Sequence, residues 1–134
     1  MLRRVEAKKE DRDIMMNLLE KYLYEFSQWE KTDVNDNGLY GYEYLDCYFE
    51  ENNRYPYLIK VDEKIAGLIL ISDYPEVPEE STDFCLSEFF IMHKYRSRPG
   101  LNTVINFISK SKKEKYIMTP LSFATAICFW ITAL

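Results

Sequence analysis

An α+β domain of three layers, a mixed and mostly antiparallel sheet with helices on both faces, is the fold class that this sequence predicts. Three observations predict it. Residues 84–92, FCLSEFFIM, hold only Ser87 and Glu88 as polar residues, so both alternating faces are apolar, as in a central strand covered on two sides. Residues 56–61 and 65–71 are apolar runs joined by Asp62-Glu63-Lys64, the pattern of a β-hairpin. After the central strand come a run at helical spacing and a short strand candidate at 116–119. Strand, helix, strand in that order needs a crossover, which makes the two strands parallel neighbours.

Residues 2–7 are a first strand. Glu10, Asp11 and Asp13 then put negative charge where a helix start favours it, and Ile14, Met15, Leu18, Leu19, Tyr22, Leu23 and Phe26 fall on one helical face. Residues 28–42 are polar, with Asn35-Asp36-Asn37-Gly38 the strongest break in the chain, so they form a long loop of the kind that often carries function. Tyr40, Tyr42, Tyr44 and Tyr48 stand there among Glu43, Asp46, Glu50 and Glu51. Two readings are open: an aromatic, acidic surface for an amine, or a short amphipathic helix over 44–51 with its acids solvated. Residues 72–82, with Pro75 and Pro78, are an exposed connection. The central strand runs into a basic turn at 93–102 and a helix over 101–110 carrying Val104, Ile105, Phe107 and Ile108; residues 111–115 are a polar loop, Pro120 ends the strand at 116–119, and 123–134 are a last helix.

A chain of 134 residues fits one domain, 1–134, with a substantial core. Its net charge of -5 argues against nucleic acid as a partner, since phosphate affinity needs a broad basic surface, and favours cationic ligands. Cys47, Cys85 and Cys128 lack paired spacing and only one His is present, His93, which reads as a surface residue; neither a metal site nor a disulfide framework is expected. The N-terminus is charged where a signal peptide needs an apolar core, and no window reaches the roughly 18 apolar residues of a membrane span. A soluble, cytoplasmic protein without a membrane partner is the expectation. Nucleotide-binding glycine loops, His-Glu-x-x-His and Gly-x-Ser-x-Gly are all absent from the sequence.

The junction after residue 92 is where chemistry is expected. A helix start carries amides without internal acceptors and a partial positive charge, to which Arg96 and Arg98 add, so it suits an anion or phosphate. Glu88, the one carboxylate of the central strand, alternates in step with Leu86, Phe90 and Met92. The stretch Ser87-Glu88-Phe89-Phe90-Ile91-Met92 running into Tyr95-Arg96 resembles motif A of the Gcn5-related N-acetyltransferase family. Gly67 in the hairpin, and Ala126, Phe129 and Trp130 near the end, extend the resemblance.

The resemblance implies the acyl-CoA N-acyltransferase fold and transfer of an acetyl group from acetyl-CoA to a primary amine of a small molecule or protein. It implies Glu88 as a base, beside the alternative of a carboxylate that binds substrate or is paired structurally. It implies backbone groups of Phe90, Ile91 and Met92 for the pantetheine arm and thioester carbonyl. The diphosphate would fall to Arg96, Ser97, Arg98, Gly100, Leu101 and Asn102. Three departures bear on activity. The family turn, Gln/Arg-x-x-Gly-x-Gly/Ala, meets Pro99 and Leu101 counted from Arg96, or Gly100 and Asn102 counted from Ser97; Pro99 has no amide hydrogen. Phe123 and Trp130 stand where the family has Asn and a Tyr used as acid, and indole does not titrate usefully. The sequence also stops where the family adds one or two closing strands, so a homodimer covering that edge is expected. The rival expectation is a catalytically inactive domain of the same fold, serving as a binding or interaction module.

Overall fold

Among the described residues, five strands form one sheet in the order of the sequence. β1 (Leu2–Glu6) pairs antiparallel with β2 (Arg54–Val61), β2 with β3 (Lys64–Ser72) and β3 with β4 (Phe84–Ile91), while β4 and β5 (Tyr116–Met118) are parallel. This computed structural model describes residues 2–72, 84–96 and 116–118. The expected helices over 101–110 and 123–134, the polar loop at 111–115 and the connection beyond Ser72 lie outside the described residues. The β2–β3 turn is made by Asp62 and Glu63, at φ 49° and 66°. A two-residue hairpin needs that left-handed pair to match strand twist, here without a glycine.

α1 (Arg12–Glu30) crosses one face of the sheet, and buries Met15, Leu18, Leu19, Tyr22 and Phe26. That stripe is narrower than the sequence spacing suggests, because Ile14 is left exposed at the edge of the face. The helix ends where Lys31 takes φ 55° and its N–H returns to the Ser27 carbonyl at 3.1 Å. α2 (Cys47–Glu50) is a single turn, shorter than the expected 44–51. α1 and α2 share one core with Ala7, Leu45, Leu58, Leu68, Leu70 and Phe90, where each large aliphatic side chain buried contributes about 1.5–3 kcal/mol. Ile59, Ile69, Ile71, Phe89 and Ile91, outside that cluster, are buried as well, as a central strand with two apolar faces requires.

Candidate active site

β4 is not a regular strand. Leu70 faces Glu88 but Ile71 faces Leu86, so Ser87 is an extra residue, a β-bulge. The bulge aims two successive polar side chains, Ser87 and Glu88, at the helices. Ser87 meets Ser72, their hydroxyl oxygens 3.4 Å apart, and hydrogen-bonds Tyr48. Glu88 receives the hydroxyl of Tyr22 on Oε2 at 2.5 Å and that of Tyr42 on Oε1 at 3.3 Å. The carboxylate is buried, at 9% exposure, so these charge-assisted bonds stand in for water.

Burial dominates the tyrosines around it. It pushes the Tyr48 phenol up to about 12, and burial followed by the Glu88 charge holds Tyr42 well above the ordinary phenol range. Both keep their protons in the folded chain at pH values where the unfolded chain, with phenols near 10, has released them. The stability they contribute is therefore complete below about pH 10 and is lost as the pH rises toward 12. The melting temperature is expected to fall between pH 10 and 12, and less so in Tyr48→Phe. A flat profile through that range would refute the buried phenols.

The backbone at the end of β4 differs from the sequence expectation. The Met92 N–H donates to the Ala66 carbonyl at 2.7 Å, so Met92 turns its amide toward β3. Groups alternate along an antiparallel ladder, so Phe90 turns the same way and Ile91 the other. The Ile91 carbonyl, on the side away from β3, accepts from Arg96 Nε at 2.6 Å. Of the three expected carrier contacts, Ile91 presents its backbone away from β3, whereas Phe90 and Met92 do not.

Arg96 is also corrected. Rather than reaching outward to a diphosphate, its guanidinium is buried and binds both oxygens of Glu25, Nη1 and Nη2 each at 2.5 Å, with the Phe90 ring centroid 5.6 Å away. His93 lies at the same place, its Nδ1 3.3 Å from Nη1 of Arg96. Ser97, Arg98, Gly100, Leu101 and Asn102 lie outside the described residues.

An open cleft of about 920 Å³ lies beside these groups, lined among the described residues by the second half of α1, the loop after it, and Phe90, Met92 and His93 at the end of β4. The loop is shaped locally by Asn35, whose side-chain oxygen accepts from the amides of Asn37 and Leu39. It is tied to α1 by Glu20, which accepts from the amides of Tyr40 and Gly41 at 2.9 and 2.8 Å. Among the described residues no helix is long and apolar enough to cross a membrane.

No family model and no curated protein matches the chain. Solved structures do match it. A ribosomal-protein-alanine N-acetyltransferase from Brucella melitensis biovar Abortus 2308 aligns over 100% of this chain and 92% of its own, at TM-score 0.57 and 12% identity. A protein of Clostridium acetobutylicum described as a predicted acetyltransferase, solved with acetyl-CoA, aligns over 100% and 90% at TM-score 0.57 and 11% identity. An aminoglycoside acetyltransferase from an uncultured soil metagenomic sample, solved with sisomicin, aligns over 97% and 84% at TM-score 0.56 and 12% identity. The chain has the Gcn5-related N-acetyltransferase fold.

Within this acetyltransferase fold the bulge of β4 gathers groups that the sequence scatters. Glu88 and Ile91 lie on the strand where they were expected. Tyr22 and Tyr42, the donors to Glu88, were not assigned to the site. Tyr22 reads in sequence as one more member of an apolar helix stripe, and only its hydroxyl, unlike a Phe at the same place, signals a buried partner. Tyr42 belongs to the tyrosine cluster noted above, which the structure splits: Tyr48 is buried at 3% exposure while Tyr44 stays 59% exposed. The acids of that cluster split too, Asp46 pairing with Arg12 and Glu51 with Arg54.

Proposed function

We propose that this protein transfers the acetyl group of acetyl-CoA to a primary amine of a small molecule or protein. The observation that carries the reading is the end of β4, where the buried carboxylate of Glu88 lies three residues before an amide, Ile91, turned away from β3 in a fold shared with acetyltransferases. In this reading the Ile91 N–H hydrogen-bonds the thioester oxygen as it gains charge. The ammonium of the acceptor gives a proton to the Tyr42 hydroxyl while Tyr42 passes its own to Glu88, so the proton comes to rest on the carboxylate without a phenolate forming. The amine nitrogen then bonds to the carbonyl carbon, the C–S bond breaks, and the departing sulfur takes a second proton from the former amine. With Arg96 committed to Glu25, the diphosphate falls to Ser97, Arg98, Gly100 and the amides of Leu101 and Asn102.

Calorimetry with acetyl-CoA tests this: binding is expected, weakened by about tenfold or more in Arg98→Ala, the effect of one lost charge-assisted contact. Absence of heat at millimolar cofactor defeats it. A second reading, an inactive interaction module, is favoured by one observation, the inward commitment of Arg96. It predicts that a turn rebuilt as Arg-x-x-Gly-x-Gly gains no affinity for acetyl-CoA, whereas the transfer reading predicts a sharp gain.

A further inference from the structure

We infer that the acceptor is a monoamine with an apolar body of aromatic size, and not a polycation; this rests on the transfer reading above. The overall acidity of the chain suggests the opposite, but the described lining of the cleft does not share it. Its two carboxylates among the described residues are already engaged: both oxygens of Glu20 receive the amides of Tyr40 and Gly41, and both oxygens of Glu25 receive Arg96. Lys21 is on the cleft as well. Among the described residues, two acids of the cleft, Glu20 and Glu25, thus stand against Lys21 on its lining and Arg96 behind it, and these four groups leave no net negative charge to hold a polycation.

The apolar side chains have the reverse distribution. Seven large hydrophobic residues are exposed among the described residues, and three of them, Tyr24, Val34 and Leu39, line this one cleft. Phe90 and Met92, which pack with the main core, close its inner end. Exposed apolar surface gathered around a concavity with a buried apolar floor is the pattern of a ligand site. A polycation would bring several charges into this apolar space, each losing water with no unengaged carboxylate among the described residues to receive it. A monoamine brings one, and that one is discharged before attack, so it needs no standing counter-ion. The body of the ligand then lies against Tyr24, Val34 and Leu39 with its nitrogen toward Met92.

The test is a titration of the full chain, labelled at its methionine methyl groups, with phenylethylamine and with spermine. Phenylethylamine is expected to shift the Met92 methyl and to bind at least about tenfold more tightly than spermine. Tyr24→Ser combined with Leu39→Ser, both at the surface, is expected to weaken phenylethylamine by about fivefold or more with no change in melting temperature. Spermine binding as tightly as phenylethylamine, or an unaltered affinity in the double variant, overturns the inference. Calorimetry with acetyl-CoA on the same sample separates the two levels. Binding of acetyl-CoA together with a preference for spermine defeats the apolar acceptor alone. A preference for phenylethylamine without any binding of acetyl-CoA defeats the transfer step, and with it the word acceptor.

Discussion

Replacing Gly67 with alanine is expected to cost about 3 kcal/mol or more, the upper end for overpacked sites, and to leave much of the chain unfolded at 37 °C. A Cβ at Gly67 would lie 2.0 Å from the Phe90 carbonyl oxygen and 3.0 Å from Ile91 Cα. Both are backbone atoms of β4, so no rotamer change relieves the clash, and β3 and β4 must part at the Gly67–Ile91 and Leu68–Phe90 pairs. Those pairs hold the strand that carries Glu88 and Ile91, in a domain whose whole stability is about 5–15 kcal/mol. Urea unfolding checks the result: the midpoint should drop steeply, and any folded fraction should have lost acetyl-CoA binding under the transfer reading. Gly38→Ala is the control. Gly38 has φ 76° and open space around its missing Cβ, so only the backbone preference is lost, about 1 kcal/mol. Equal midpoints for Gly67→Ala and the parent chain would show that the close approach of β3 to β4 is not as described.

The sheet was legible because its strands are long apolar runs bounded by turn residues, and β2, β3 and β4 lie within two residues of the expected limits. The bulge was not, because alternation cannot reveal one extra residue in a strand that is apolar on both faces. Its only mark is the adjacent polar pair Ser87-Glu88, which a regular strand would send to opposite sides. That single residue, and the register it sets, decide which backbone groups face away from β3, so Phe90 and Met92 turn their backbone toward β3 and Ile91 turns the other way. Arg96 was misjudged for a different reason. A basic turn beside a helix start reads as an anion site, but the partner that draws the guanidinium inward, Glu25, is 71 positions away in the chain. The Glu88–Tyr22 bond, spanning 66 positions, was hidden in the same way. Local pattern predicts elements; the destination of a buried polar group depends on which elements pack together.

Arg96 therefore supplies the second large effect, and a way to separate a structural arginine from one that grips phosphate. In Arg96→Ala, Glu25 loses its partner with its side chain only 14% exposed, and the Ile91 carbonyl loses its donor. Breaking one partner of a fully buried pair costs about 3–5 kcal/mol, and because Glu25 keeps an edge on the open cleft about 2–3 kcal/mol is expected here. For a chain of this size that corresponds to a fall in melting temperature of about 10 °C. Adding Glu25→Ala should recover part of the loss, since the stranded carboxylate is then gone; the remainder is the Ile91 carbonyl and the packing of the guanidinium against Phe90. The surface pairs Arg3–Glu63 and Arg12–Asp46 give no such coupling, being open to water. An arginine that held a diphosphate would behave otherwise, weakening acetyl-CoA binding with the melting temperature unmoved and with no rescue by Glu25→Ala. Because Arg96 also fixes the carbonyl of the residue whose amide is assigned to the thioester, the structural role predicts a link between stability and cofactor affinity. The double variant should regain stability without regaining affinity, since nothing in it restores the Ile91 carbonyl to its partner.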